Sequence, residues 1–209
     1  MSAIPGSVPL VRAHPWHGVE PGAADGPLLA YVEIVPGDPV KYELDKETGL
    51  LRVDRPQRFS SACPTLYGFL PRTYCGDATA RLCMEATGLT GVVGDGDPLD
   101  VCVLSEKAFS HGDFLLRCIP VGGLRMIDGG EADDKIVAVL EGDAVYGGVH
   151  ELSELPLAIV DRLRHYFLTY KQIPGEQAAK VAIAEVYGRD AAMAVLRASF
   201  ADYAALVAG

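Results

Sequence analysis

The sequence predicts an α+β fold, and three observations carry that assignment. The first two thirds of the chain hold at least five short apolar or alternating runs bounded by Gly and Pro, while a helical period appears only from about residue 154. Strands and helices do not alternate as a doubly wound sheet requires. No internal repeat, low-complexity tract or linker interrupts the chain, so residues 1–209 form a single domain.

Taken in order, residues 1–27 carry Pro5, Pro9, Pro15, Pro21 and Pro27, which predicts an extended arm lying over the surface. Within it, HPWHG sets His14, Trp16 and His17 in a Pro-flanked turn. With no third ligand near in sequence, a packing or interface patch is favoured over a metal site. LLAYVEIV (28–35) and VKYELD (40–45) read as strands, and DKETG turns the chain back into LLRVDR (50–55). Lys41 and Glu43, two apart on such a strand, share one face. Residues 56–93 form a longer connection with a short helix around 78–86.

Leu99–Leu104 reads as a buried strand, followed by strands over 113–124 and 134–141. Between the last two lies RMIDGGEADDK, a second acid cluster of Asp128, Glu131, Asp133 and Asp134 that ends in Lys135. From Glu154 to Lys171, Val160, Leu163, Phe167 and Tyr170 recur every three or four residues, predicting an amphipathic helix. A last strand (178–188) and a terminal helix follow, the helix capped by Asp190 with Ala192, Leu196, Phe200 and Tyr203 on its inner face.

Composition narrows the function. The 28 acidic and 18 basic residues give a net charge of −10, which argues against a nucleic-acid partner. No stretch reads as a membrane span, and the N-terminus lacks the pattern of a signal peptide. The five cysteines, Cys63, Cys75, Cys83, Cys102 and Cys118, are odd in number and irregularly spaced. Reduced thiols in a cytoplasm fit them better than a disulfide framework.

The chemistry points to GDGDPLDVCVL, residues 94–104. Asp95, Asp97 and Asp100 fall within six residues, with Gly96 and Pro98 stiffening the turn between them. Carboxylates this crowded repel one another unless a cation neutralises them, and hard oxygen donors suit Mg²⁺ or Mn²⁺ rather than zinc. An EF-hand register starting at Asp95 fails because Leu99 and Asp100 stand where an oxygen ligand and an obligatory Gly belong. An aspartyl-nucleophile phosphohydrolase using Asp95 would need a longer preceding apolar strand and Thr or Val in place of Pro98. A non-catalytic metal- or anion-binding barrel module is the remaining alternative.

The order of these segments resembles the family I soluble inorganic pyrophosphatases. DGDPLDV matches the family's signature, VEIVPGDPVKYELDKETGLLRVDR looks like its N-terminal hairpin region, IDGGEADDKIVAVLE like its second aspartate loop, and HYFLTYKQ like its Tyr-Lys pair. The resemblance implies a closed, twisted, mainly antiparallel barrel similar to an OB-fold, with flanking helices, two of them C-terminal. It implies pyrophosphate hydrolysis by direct attack of a metal-activated water, with several Mg²⁺ ions per site, in a cytoplasmic homo-oligomer. Position by position, it implies metal ligands at Asp95, Asp100, Asp128 and Asp133, and Asp97 as the residue that orients or deprotonates the water. Lys41, Arg55, Tyr67, Lys135, Tyr170 and Lys171 would contact the phosphates, with Lys41, Arg55 and Tyr67 close to the reaction and Glu33 and Glu43 at the edge of the site. Two departures stand out. Cys63 occupies the place of a usual tyrosine, and the 28-position step from Tyr67 to Asp95 makes residues 70–92 an inserted excursion, expected over the site entrance or at an oligomer contact.

Overall fold

A computed structural model describes residues 12–23, 26–173, 175 and 180–209. The first eleven residues of the expected arm lie outside the described residues. The strands are β1 (Leu28–Ile34), β2 (Val40–Leu44), β3 (Leu51–Pro56), β4 (Leu66–Phe69), β5 (Val93–Gly94), β6 (Asp100–Leu104), β7 (Phe114–Asp128), β8 (Glu131–Ala132), β9 (Lys135–Leu140) and β10 (Val181–Gly188). The helices are α1 (Asp77–Thr87), α2 (Leu157–Thr169) and α3 (Arg189–Ala208).

Five strands pair in a ring, β1-β4-β6-β9-β7 and back to β1. All its pairings are antiparallel except β6–β9, which is parallel. The 15-residue β7 serves several partners along its length: β1 near its start, β9 in its middle, and β8 and β10 beyond. Sequence alone ended this strand at Leu124; its continuation to Asp128 delivers that aspartate to the strand tip. β2 and β3 form a separate hairpin with a bulge that skips Asp54, leaving Lys41 opposite Arg55.

Alternation sorts the central strands onto two faces. Val101, Val103, Ile136 and Ala138 join the cluster that receives Ala192, Val195 and Leu196 of α3. Cys102, Leu104, Val137 and Val139 join the one that receives Val160, Leu163 and Phe167 of α2. Both faces being covered explains why β6 and β9 are apolar throughout rather than alternating with polar residues. By the same parity Asp100 and Lys135 belong to the α2 face. HPWHG is a packing element: Trp16 is buried with its Nε1 donating to the Thr73 carbonyl at 2.8 Å, and His17 Nδ1 lies 2.9 Å from the Tyr203 hydroxyl.

Three expectations about the helices need correction. α2 is shorter than 154–171, because Pro156 starts it and Leu152–Glu154 forms a separate 3-10 turn, while Tyr170 is its C-cap. Asp190 does not cap α3; the cap position is Gly188, Asp190 lies in the first turn, and the Glu151 carboxylate accepts from the Arg189 amide at 3.0 Å. α3 is, by length and composition, apolar enough to cross a membrane, contrary to the sequence expectation. Here it packs Ala192, Val195, Leu196 and Tyr203 inward, and Phe200 is only partly buried.

The N-cap of α1 is Gly76, which has no side chain to cap with, and the missing acceptor comes from α3. Asp202 accepts from the amides of Gly76 (2.9 Å), Ala78 (2.8 Å) and Thr79 (2.9 Å) and from the Thr79 hydroxyl (3.1 Å). One carboxylate thus answers most of the unpaired donors of the helix start. Asp202→Ala is expected to cost about 2 kcal/mol or more, lowering the urea midpoint at unchanged m-value. Asp161→Ala, which breaks the exposed Arg164–Asp161 pair, should cost no more than about 0.5 kcal/mol. Equal midpoint shifts for the two variants would refute the capping assignment.

Candidate active site

The acidic turn is built from behind by the excursion it follows. Cys75 donates its amide to the Asp97 carbonyl at 2.8 Å and accepts from Gly96 at 3.0 Å, and Leu99 donates to the Thr73 hydroxyl at 2.8 Å. Gly94 is required because a Cβ there would stand 2.2 Å from the Cys75 carbonyl, and Gly96 takes φ +74°, the left-handed region. The Asp97 amide donates to Asp95 Oδ1 at 2.9 Å, so the first carboxylate also shapes the turn that carries the second.

These elements open on a cavity of about 180 Å³ lined by Asp95, Asp97, Asp128, Glu131, Asp133, Lys41, Arg55, Lys171, Tyr67 and Tyr170, with Ile34, Tyr166 and Phe167 as its apolar wall. Nine of the thirteen predicted site residues therefore share one space. A smaller neighbouring cavity of about 40 Å³ takes Glu33, Glu43 and Asp100, and Asp97 borders both. The remaining residue, Lys135, lies buried beneath, bonding Asp100 and Asp133 together.

None of residues 70–92 lines the main cavity. The excursion buttresses the acidic turn instead of covering the entrance. Cys63 is buried against Tyr166 among the residues under α2, and burial pushes its thiol up to about 11, which leaves it packing rather than redox-active.

Charge explains the arrangement. Lys135 pairs with Asp100 and Asp133, Lys171 with Asp128, and Lys46 with Asp97. Burial opposes the charge on Lys135, but the two aspartates outweigh it and hold the ammonium well above the usual lysine range. A single ammonium cannot offset every carboxylate beside it. Burial and the neighbouring Asp133 push Asp95 up to about 9, and burial raises Asp100 against the pull of Lys135. Glu33, buried with its Oε1 accepting from the Leu44 amide at 2.7 Å, is pushed up to about 8 by desolvation. The cations opposite are held by acids of their own: Lys41 lies 2.9 Å from Asp54 and 3.6 Å from Glu43, and Arg55 pairs with Asp54.

Sequence reasoning missed Asp54, which the β3 bulge turns toward both Lys41 and Arg55, and Lys46, which reaches Asp97 from the hairpin turn. Neither has a local sequence signal. Phe167, read as helix core, also walls the cavity, and Tyr166, which the sequence reading did not single out, stands beside it. Among the described residues no three His, Cys, Asp or Glu side chains already converge as a metal cage. The donor set nevertheless fits a hard divalent cation: every candidate ligand is a carboxylate oxygen, several face one cavity, and their negative charge exceeds what the local lysines offset.

Comparison with known proteins gives the family. The family model described as inorganic pyrophosphatase matches residues 30–204. An inorganic pyrophosphatase from Chlamydia muridarum is 50% identical over 200 residues, covering 93% of this chain and 96% of that protein. A soluble inorganic pyrophosphatase from Oryza sativa is 40% identical over 170 residues, covering 81% of this chain and 71% of that one. The solved inorganic pyrophosphatase from Thermus thermophilus superposes with a TM-score of 0.75 at 26% identity, covering 92% of this chain and 99% of that one.

The raised carboxyls give the protein a pH signature. Glu33 and Asp95 hold protons more tightly folded than at their unfolded values of 4.5 and 3.8. Their contribution to stability is full below those values and is lost as pH rises toward about 8 and about 9. In EDTA the melting temperature should fall across that window, and saturating Mg²⁺ should flatten or reverse the fall. A melting curve in EDTA that is flat across the same window would contradict the assignment.

Proposed function

The chain belongs to the inorganic pyrophosphatase family, and from that premise we propose that its cavity of aspartates, lysines, arginine and tyrosines hydrolyses inorganic pyrophosphate to two orthophosphates, with Mg²⁺ as its cofactor. The observation that carries the proposal is the meeting of two opposed charge sets across about 180 Å³: Asp95, Asp97, Asp128 and Asp133 against Lys41, Arg55 and Lys171. A small polyanion needs both, cations for its oxygens and carboxylates for divalent ions.

Asp95, Asp100, Asp128 and Asp133 would hold the metal. When bound, Mg²⁺ supplies charge neutralisation and lowers the pKa of a neighbouring water. Mn²⁺ offers similar oxygen-seeking chemistry and is the expected substitute.

Asp97 suits the role of proton acceptor because its side chain is 44% exposed at the rim and lies in a turn fixed at both ends, so it can meet a water rather than only structural partners. Arg55 can hold two phosphate oxygens at once, and Lys41 and Lys171 add point charges. Tyr67 donates to Asp100 at 2.6 Å and Tyr170 sits below Lys171, so both tyrosines order the charged groups beside them. Glu33 ties β1 to β2 and Glu43 flanks Lys41, which supports their reading as edge residues that set the hairpin in place.

A phosphoenzyme on Asp95 is not favoured, because the family model and the relatives that match this chain are inorganic pyrophosphatases. The five-stranded ring we read as an OB-like barrel, and five free buried cysteines are consistent with a cytoplasmic protein. A homo-oligomer completes the proposal by family resemblance.

Phosphate release from pyrophosphate should require Mg²⁺ and stop in EDTA. Asp97→Asn should lower the rate at least about a hundredfold while keeping the Mg²⁺-induced rise in melting temperature. Retention of the wild-type rate by this variant would remove Asp97 from the chemistry, and no release by the wild type would overturn the function.

A further inference from the structure

Asp134 stands between two residues of the site yet faces away from it. Asp133 and Lys135 project to the α2 face, and alternation sends Asp134 to the other side, among residues that never touch the cavity. There its side chain is 5% exposed and faces the guanidinium of Arg125, itself 3% exposed, with Arg125 Nη1 4.0 Å from Asp134 Oδ1. Arg125 also donates from Nε to Glu185 at 3.0 Å across the β7–β10 pair and lies 4.9 Å over the Tyr187 ring. Cys83 of α1 closes the same spot, with Val92 and Ala132 packed beside it.

Stability does not account for this pair. Among the described residues Arg125 Nη1, Asp134 Oδ1 and the Tyr187 hydroxyl make no hydrogen bond, and burying charges with unmet hydrogen-bonding capacity is costly. What the pair does possess is position. Arg125 sits between Leu124, the register partner of Lys135, and Met126, whose carbonyl accepts from the Asp133 amide at 3.0 Å. One strand segment of β7 therefore grips the 133–135 segment through backbone on both sides of Asp134 and through charge at Asp134 itself.

Building on the proposed function, we infer that the Arg125–Asp134 pair is a positioning device: it fixes the twist of residues 133–135 so that Asp133 and Lys135 face the cavity together. Asp134 and Arg125 act through those neighbours and contact neither substrate nor metal. Partners behind a ligating carboxylate typically change metal affinity by about 10–100-fold when removed.

The test compares wild type, Asp134→Asn and Arg125→Lys with a charge-free double variant, Arg125→Met/Asp134→Leu, whose apolar contact keeps the fold if Asp134→Asn alone does not. Two titrations with Mg²⁺ are read on each: the rise in melting temperature and the rate of phosphate release. Asp134→Asn and the double variant should need about tenfold more Mg²⁺ for half of either response, with the rate at saturating Mg²⁺ little changed. Arg125→Lys, which keeps the charge, should lie nearer wild type. A Glu141→Gln control at the exposed Arg117–Glu141 pair should not move. Variants that melt lower but keep the wild-type Mg²⁺ midpoint would show a purely structural pair and overturn the inference while leaving the proposed function intact. A wild type without any Mg²⁺ response would overturn both.

Discussion

A single buried ammonium holds the centre of this protein. Lys135, 3% exposed, bonds Asp100 and Asp133, and Lys135 and Asp100 are register partners on the parallel strands β9 and β6. An unpaired charge at that depth would be untenable, and even a paired one needs its remaining donors answered. The aromatic rings of Tyr67 and Phe167 lie 6.0 and 5.8 Å from the ammonium, and the Tyr67 hydroxyl bonds Asp100. The ring of strands keeps two acids and a base at fixed separation where solvent would otherwise pull them apart. Its two-sided burial also decides that they face α2 and not α3.

Around that centre the two charge sets ride on different parts of the fold. Most of the carboxylates sit at ends of ring strands or on the turn braced by Cys75 and Thr73. Lys41 and Arg55 ride on a hairpin outside the main sheet. That hairpin is joined to the ring by the Glu33–Leu44 hydrogen bond and by the cluster in which Leu44 meets Trp16, Tyr31, Phe69 and Tyr203. HPWHG, read from the sequence as a packing or interface patch, is part of this joint.

What the sequence disclosed and what it hid follow from one distinction, local against non-local. The strands, the helical period and the crowded turn are local patterns, and they placed most elements to within a few residues, but not β4, a four-residue ring strand inside the stretch read as a connection, nor the two-residue β5 and β8. The inward direction of Lys135 was legible as an alternation. The bulge that aims Asp54 was not, because it depends on the partner strand. Asp190 was a sound choice of cap by composition, yet the cap that matters is Asp202, which serves a different helix from across the core. The short helix of the excursion was visible; its place behind the acidic turn, in contact with α3, was not.

The Asp202 cap also bears on how the chain is made. α1, at 11 residues, is too short to persist alone in water, and the carboxylate that completes its first turn lies 126 residues after Gly76. At about 5–20 residues per second, a ribosome needs roughly 6 to 25 seconds to supply it. Until then the segment that braces the aspartate turn has no finished support, so a nascent chain carries every side chain of the proposed site before it can hold them in place. Assembly of the site is thereby tied to completion of the last helix, and a prematurely terminated chain lacks the clamp rather than the chemistry.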